Sequence, residues 1–147
     1  MPGYEIIGKE EFKEIKDIFD NGGVLFRHGF DHLRNGTYKV NQFEKKFSKK
    51  MKSQYALAVT SGTAALRVAL AAIEIKPTDE IITQSFTFVA TVEAIIEARG
   101  IPVITEIDDT LNMDPEDLEK KITKSTKAII VVHMLGTPAR LNKIRKI

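Results

Sequence analysis

The chain has 147 residues, enough for one modest domain with its own hydrophobic core. Its 22 Lys plus Arg and 20 Asp plus Glu give a net charge of +2, too close to neutral to indicate a nucleic acid or an anionic membrane as a partner. The chain has no cysteine, no signal-peptide pattern after Met1 and no apolar stretch of membrane-spanning length, so we expect no disulfides, no thiolate metal site, and a cytoplasmic location.

The first third of the chain predicts two helices joined by a long loop. Lys9–Asp20 carries apolar residues at helical spacing, and Asn41–Met51 has Phe43 and Phe47 on one face. The intervening segment, Gly22–Tyr38, has neither a helical nor a strand period. Because long loops inside compact domains are often functional, this segment is a candidate for substrate binding.

From Tyr55 onward, short apolar runs alternate with helical patterns. The alternation predicts βαβ units, hence an α/β fold with a mainly parallel sheet and helices on both faces. The predicted strands span 55–60, 80–85, 101–107 and 127–133, and the predicted helices span 64–73, 88–99, 115–122 and 138–147. We therefore divide the chain into an N-terminal part, 1–54, with the helices and the substrate-side loop, and an α/β part, 55–147.

Three segments follow predicted strands, and ligands bind beyond the carboxyl ends of parallel strands. The first is Thr60–Thr63, in which Ser61, Gly62 and Thr63 open a helix. A helix N-terminus with a glycine and two hydroxyls suits a phosphate, because its N–H groups lack intrahelical acceptors. Simple helix capping by the same residues is the alternative.

The other two segments contain aromatic and imidazole side chains. Phe86 and Phe88 lie where a strand becomes a helix, and one of them could lie flat on a planar cofactor ring. Burial in the core is the alternative for both. His133 ends an apolar run, where it could hydrogen-bond a ligand or a cofactor oxygen. The alternative is a capped or a core histidine.

Together these segments resemble the DegT/StrS family of sugar aminotransferases. The matching stretches are Ala58–Leu66, Phe86–Thr91, Glu106–Asp108 (followed by Thr110 and Asn112) and Lys127–His133. The resemblance implies the aspartate-aminotransferase-like fold (fold type I), of which this chain would be the N-terminal part of the large domain. It also implies pyridoxal 5'-phosphate as the cofactor, a homodimer, and a role in cell-surface polysaccharide or related sugar biosynthesis.

The resemblance also implies roles for individual residues. Ser61, Gly62 and Thr63 would bind the cofactor phosphate, Phe88 would stack on its ring, and His133 would contact it. In the family, the Schiff-base lysine and the acid that pairs with the pyridinium nitrogen follow the last helix that this chain begins. We therefore expect no catalytic residue in this chain, which looks truncated and inactive by itself.

The opening of the chain resembles a narrower group, the 8-amino-3,8-dideoxy-manno-octulosonate transaminases. The similarity lies in residues 1–5, 25–27, 30–35 and 132–134. The loop Gly22–Tyr38 has two arginines and two histidines among aromatic residues, which suggests that Arg27 or Arg34 pairs with a substrate carboxylate such as that of an octulosonate. The alternative is a solvated loop whose arginines pair with nearby acids.

The expected reaction moves an amino group from an amino acid, with glutamate as the donor, to a keto- or aldehydo-sugar. Two other functions stay open. One is a sugar 3-dehydratase of the same family, in which a histidine replaces the Schiff-base lysine. The other is a non-catalytic regulatory relative that binds the cofactor. The position that would discriminate them lies beyond Ile147.

Overall fold

A computed structural model of the chain describes residues 4–147. The chain divides into two compact units, Met1–Ala58 and Val59–Ile147. The first unit contains helices and a long loop, and the second contains a parallel sheet covered by helices. The site candidates are therefore distributed between a helical unit and an α/β unit.

The N-terminal unit is built on two helices, α1 (Lys9–Asp20) and α2 (Lys39–Met51). Both were predicted, although α2 begins two residues before Asn41. Lys39 joins the helices, because its Nζ lies 2.6 Å from a carboxylate oxygen of Glu14 and 2.5 Å from one of Asp17. Short 3₁₀ turns occupy Tyr4–Ile6 and, within the loop, Asp31–Leu33.

The C-terminal unit contains a three-stranded parallel sheet in the order β2–β1–β3. Its strands are β1 (Glu80–Gln84), β2 (Ile101–Thr105) and β3 (Thr126–Ile130). The helices of this unit are α3 (Gly62–Ala72), α4 (Val89–Glu97), α5 (Pro115–Lys121) and α6 (Leu141–Ile144). The central strand β1 is paired on both edges, with β2 on one side and β3 on the other.

Helices cover both faces of this sheet, as predicted. Ile81 and Ile82 are both fully buried, and alternation along the strand directs them to opposite faces. The cluster around Ile81 contains Leu70, Ala94 and Ile95 from α3 and α4, whereas the cluster around Ile82 contains Met113, Leu118, Ala139 and Ile144. The α/β fold class is therefore confirmed.

One predicted strand was wrong. Tyr55–Thr60 belongs to no strand in the described part of the chain. Its central residue shows why, since the N–H of Ala58 donates to Glu44 Oε1 at 2.7 Å and its C=O accepts from Arg27 Nη1 at 2.9 Å. These side chains satisfy backbone groups that a neighbouring strand would otherwise have paired. An apolar run becomes a strand only when it finds such a neighbour.

Two predicted strands were too long. β3 ends at Ile130, because beyond it the N–H of Val132 donates to the Gln84 side chain instead of a strand carbonyl. β2 ends at Thr105, and Ile107 forms only an isolated antiparallel bridge with Met113.

Within residues 4–147, no helix combines the length and apolar character needed to cross a membrane.

Because the core lies on both faces of the sheet, we expect a large difference in stability loss between substitutions of a buried and an exposed isoleucine of the same sheet. Ile82→Ala should lower the free energy of unfolding by about 2–5 kcal/mol, because a fully buried side chain leaves a cavity. Ile101→Ala in β2, where the side chain is 46% exposed, should cost about 1 kcal/mol or less. Urea unfolding of both variants measures the difference. Equal losses would contradict the assignment of β1 to the centre of the core.

Candidate functional site

The first site candidate lies at the N-terminus of α3. Ser61 has an extended backbone, and its Oγ accepts a hydrogen bond from the N–H of Ala64 at 3.0 Å. The first backbone bond of the helix runs from the N–H of Ala65 to the carbonyl of Ser61. The N–H groups of Gly62 and Thr63 therefore have no intrahelical acceptor. Ser61 acts as a helix cap, and the two following residues provide donors for an external group.

Gly62, the first residue of α3, is exposed. A Cβ placed on Gly62 would meet no atom of the described chain within 4 Å. Thr63 is half-buried, so its side chain is partly shielded from water. An anion could therefore reach the N–H groups, and the partial positive charge of the helix end favours one there. The residues at this helix end fit a phosphate group.

The direction of α3 puts its N-terminus at the carboxyl edge of the sheet. The helix ends at Ala72, and β1 begins at Glu80 after a short connection. The C-terminal end of α3 consequently lies near the start of β1, and Ser61 lies towards the opposite edge. The segments after β1 and β3 reach that same edge, since parallel strands share their carboxyl ends. This topology brings Ser61, Gly62 and Thr63 to the edge that also carries Phe88 and His133.

Phe88 is the more accessible of the two candidate aromatic residues. It immediately precedes α4, and its side chain is 73% exposed, compared with 40% for Phe86. A planar ligand could cover an aromatic ring in this position. Neither ring is buried in the core, so the core alternative that the sequence allowed does not apply.

His133 organises the segment after β3. Its Nδ1 accepts a hydrogen bond from the N–H of Ala139 at 3.0 Å. Because Nδ1 acts as an acceptor, the neutral ring carries its proton on Nε2. The imidazole is exposed, so Nε2 is available as a donor. His133 thus makes a structural hydrogen bond through Nδ1, and its exposure rules out the core alternative. Its contact with a ligand stays a prediction.

The two candidate arginines lie in the N-terminal unit, within Gly22–Tyr38. Arg34 is only 4% exposed, and its guanidinium donates to the carbonyls of Gly29 and Phe26 while lying 5.0 Å from the Tyr38 ring centroid. Arg27 is more exposed and pairs with Glu44. Arg27, His28, Tyr38, Asn41 and Glu44 line a cavity of about 350 Å³.

Two buried amides at the carboxyl edge were missed as site candidates. Gln84 is the last residue of β1, and Asn112 lies in the segment between β2 and α5. Both side chains are fully buried. The available signal was a primary amide at the end of an apolar run, because such a group is rarely buried without partners.

The 4–147 region contains no group of three or more His, Cys, Asp or Glu side chains arranged to hold a metal.

Asp108, in the same segment as Asn112, has a lowered pKa. Burial by itself would raise the pKa of this carboxyl, but hydrogen bonds and a nearby cation outweigh it. The hydroxyl and N–H of Thr110 both donate to Oδ1, at 2.5 and 2.8 Å, and Arg140 Nη1 lies 3.3 Å from Oδ2. The ionised carboxylate of Asp108 therefore holds the β2–α5 segment in place.

This lowered pKa predicts how stability changes in acid. The ionised form is favoured by folding, so its contribution is complete above the unfolded pKa of about 4 and is lost as pH falls through the lower folded pKa. Wild type should therefore exceed Asp108→Asn in unfolding free energy at pH 7, and the gap should shrink below pH about 4. Urea unfolding at several pH values measures it, with the exposed Glu119→Gln as control. A gap that stays constant or widens in acid would contradict the prediction.

Comparison with known proteins places this geometry in a family. The chain is 41% identical over 140 residues to the spore coat polysaccharide biosynthesis protein SpsC of Bacillus subtilis, covering 95% of this chain and 33% of that protein. Among solved structures, S. venezuelae DesV in complex with a ketimine intermediate superposes with a TM-score of 0.83 and 31% identity, over 97% of this chain and 36% of DesV.

A GDP-4-keto-6-deoxymannose-3-dehydratase with a trapped PLP-glutamate geminal diamine is also similar, with a TM-score of 0.76 and 30% identity, over 92% of this chain and 34% of the other. The chain thus spans about a third of the length of these relatives. Its fold is the N-terminal part of the fold type I architecture. Residues 6–147 match the family model over almost the whole chain, and the protein belongs to the DegT/DnrJ/EryC1/StrS aminotransferase family.

Proposed function

We propose that this chain forms the N-terminal part of a pyridoxal-phosphate-dependent aminotransferase that transfers an amino group from glutamate to a keto- or aldehydo-sugar. The observation that carries the proposal is the N-terminus of α3, where the N–H groups of Gly62 and Thr63 have no intrahelical acceptor and Gly62 is exposed. Family membership supports the reaction, and the PLP-glutamate adduct in the related dehydratase supports the cofactor and the donor.

The phosphate of the cofactor would bind at this helix end. The N–H groups of Gly62 and Thr63 and the Thr63 hydroxyl would donate to its oxygens, and Ser61 would keep the helix end in place through its bond to Ala64. Hydrogen bonds to a charged acceptor contribute about 1.5–3 kcal/mol each, more than those between neutral groups. This part of the chain would therefore supply much of the cofactor's anchoring.

The ring of the cofactor would lie against Phe88, and His133 Nε2 would donate to one of its oxygens. The exposure of both side chains at the carboxyl edge supports this arrangement. When bound, pyridoxal phosphate supplies the electron sink that amino-group transfer requires. The residues described here would orient and hold the ring, and the lysine and acid that complete the site would come from outside this chain.

The loop Gly22–Tyr38 would contribute to sugar binding through Arg27. Its side chain is 38% exposed and borders the 350 Å³ cavity, whereas Arg34 is buried. Arg27 donates to the carbonyl of Ala58 and to Glu44, so a substrate carboxylate would have to share or replace these partners. Arg34 as a substrate ligand stays a prediction that would require the loop to open. The similarity to octulosonate transaminases suggests a sugar acid as substrate, with its carboxylate facing Arg27.

The whole protein would work as a homodimer in the cytoplasm, as the family resemblance implies. Exposed apolar side chains on α1 and α2, including Phe12, Phe19 and Phe43, are available for such an interface. Exposed apolar side chains in this number are compatible with contact with another chain or another part of the same chain.

A sugar 3-dehydratase is the second candidate, because a 3-dehydratase shares this fold over 92% of the chain. By resemblance, the two activities differ at the Schiff-base position, where a lysine favours transfer and a histidine favours dehydration. Sequencing the remaining gene and assaying glutamate-dependent product formation would separate them. An amino-sugar product supports transfer, and a deoxygenated sugar without nitrogen supports dehydration.

The phosphate assignment predicts separate effects for neighbouring hydroxyls. In the full-length protein, Thr63→Val should raise the Kd for pyridoxal phosphate roughly tenfold with little change in thermal stability, because it removes one hydrogen bond to the phosphate. Ser61→Ala, the control, should lower stability by about 1 kcal/mol through loss of the cap. If Thr63→Val changes only stability, the threonine is a structural residue and the assignment fails.

The ring assignment predicts a contrast between two phenylalanines. Phe88→Ala should weaken cofactor binding more than Phe86→Ala, because Phe88 is the more exposed ring in this structure and is the one available to stack. Fluorescence titration with pyridoxal phosphate measures both affinities. Release of cofactor by Phe86→Ala, with Phe88→Ala unaffected, would reverse the assignment.

The loop assignment predicts a selective kinetic effect. Arg27→Lys should raise KM for the keto-sugar acid and leave the half-reaction with the amino donor nearly unchanged, because lysine cannot form the two parallel bonds to a carboxylate. Arg34→Lys should instead lower thermal stability, since the buried guanidinium binds two loop carbonyls. A wild-type KM in Arg27→Lys would remove Arg27 from the substrate site.

A further inference from the structure

Gln84 occupies an unusual position for a primary amide. It is the last residue of the central strand β1 and is fully buried. Alternation along the strand directs its side chain to the same face as Ile82, towards α5 and α6. A buried amide has two donor hydrogens and an oxygen that accepts two bonds, and each unmet group carries a desolvation penalty.

Every one of these groups has a partner, and the partners lie in three different segments. Nε2 donates to the carbonyl of Phe86 at 3.0 Å and to that of Leu111 at 3.3 Å. Oε1 accepts from the N–H groups of Met113 and Val132, both at 3.3 Å. Gln84 therefore ties together the segments that follow β1, β2 and β3.

Asn112 adds a second connection at the same edge. Its Oδ1 accepts from the N–H of Met134 at 2.8 Å, and its Nδ2 donates to the carbonyl of Thr137 at 3.3 Å. As a result, His133 lies between two residues whose N–H groups are held, Val132 by Gln84 and Met134 by Asn112. Phe88 lies two residues beyond the carbonyl of Phe86, which Gln84 also holds.

The backbone at this junction is strained. Leu111, whose carbonyl accepts from Gln84, has a φ of +60°, a left-handed conformation that is costly for a branched side chain. Such a conformation persists only where its surroundings determine it. Here the side-chain hydrogen bonds of Gln84 and Asn112 hold the backbone around Leu111 in this conformation.

We propose that Gln84, assisted by Asn112, is a positioning residue that fixes the segments carrying Phe88 and His133 in the geometry that receives the cofactor. The proposal rests on the proposed function, since it assumes that the cofactor binds at this edge. Gln84 would not contact the cofactor itself and would act through the backbone groups to which it is hydrogen-bonded. A residue that only stabilised the fold would leave cofactor affinity unchanged once stability is matched.

The test uses Gln84→Met, which keeps side-chain length and removes all four hydrogen bonds. Ile81→Val is the control, because it alters an equally buried residue of the same strand on the opposite face. Hydrogen exchange of the cofactor-free protein should be roughly tenfold faster in Gln84→Met at Met113 and Val132, as expected for the loss of one hydrogen bond at each. In Ile81→Val these amides should exchange at close to the wild-type rate.

The second measurement is the Kd of the full-length protein for pyridoxal phosphate. It should rise roughly tenfold in Gln84→Met and stay near wild type in Ile81→Val. If Gln84→Met does not fold, Gln84→Glu tests the cofactor Kd alone, because it keeps an acceptor for Met113 and Val132 and removes the donors to the carbonyls of Phe86 and Leu111.

Three results would overturn the proposal, and they are distinguishable. Unchanged exchange at Met113 and Val132 would show that Gln84 does not fix these segments. Faster exchange with unchanged cofactor affinity would reduce Gln84 to a structural residue. Absence of pyridoxal phosphate binding by the wild-type full-length protein would remove the proposed function itself.

Discussion

The parallel pairing of β1 with β2 and β3 is the constraint on which the rest of the C-terminal unit depends. It aligns Gln84 opposite Thr105 and so brings the carboxyl ends of the strands to one edge. The burial of Ile81 and Ile82 on opposite faces keeps β1 central, because helices must then cover both sides. The candidate cofactor contacts collect at that edge because connections in parallel sheets begin there.

Much of this fold could be predicted from the sequence, because most elements carry their own pattern. The helical period of Lys9–Asp20 and the apolar run at Glu80–Gln84 gave α1 and β1 with close boundaries. Tyr55–Thr60 failed since a strand also needs a neighbour, and here the side chains of Arg27 and Glu44 satisfy the backbone of this segment. Periodicity reports which residues are apolar, whereas pairing depends on contacts distant in sequence.

The site shows the same limit at the level of single side chains. The sequence singled out Ser61 as either a cap or a phosphate ligand, and the structure shows that a cap leaves the next two N–H groups free for a ligand. It treated Arg34 as a possible substrate contact, but the folded loop buries that guanidinium against its own carbonyls. The sequence indicated Gln84 only as part of a predicted strand, because its four hydrogen-bond partners lie in segments that only the folded sheet brings together.

The proposed function requires that the carboxyl edge of this sheet receive pyridoxal phosphate. A crystal structure of the full-length protein with the cofactor tests it most directly. We expect phosphate oxygens within hydrogen-bond distance of the N–H groups of Gly62 and Thr63, and the ring stacked on Phe88. A cofactor bound elsewhere, with the N-terminus of α3 facing solvent, would contradict it.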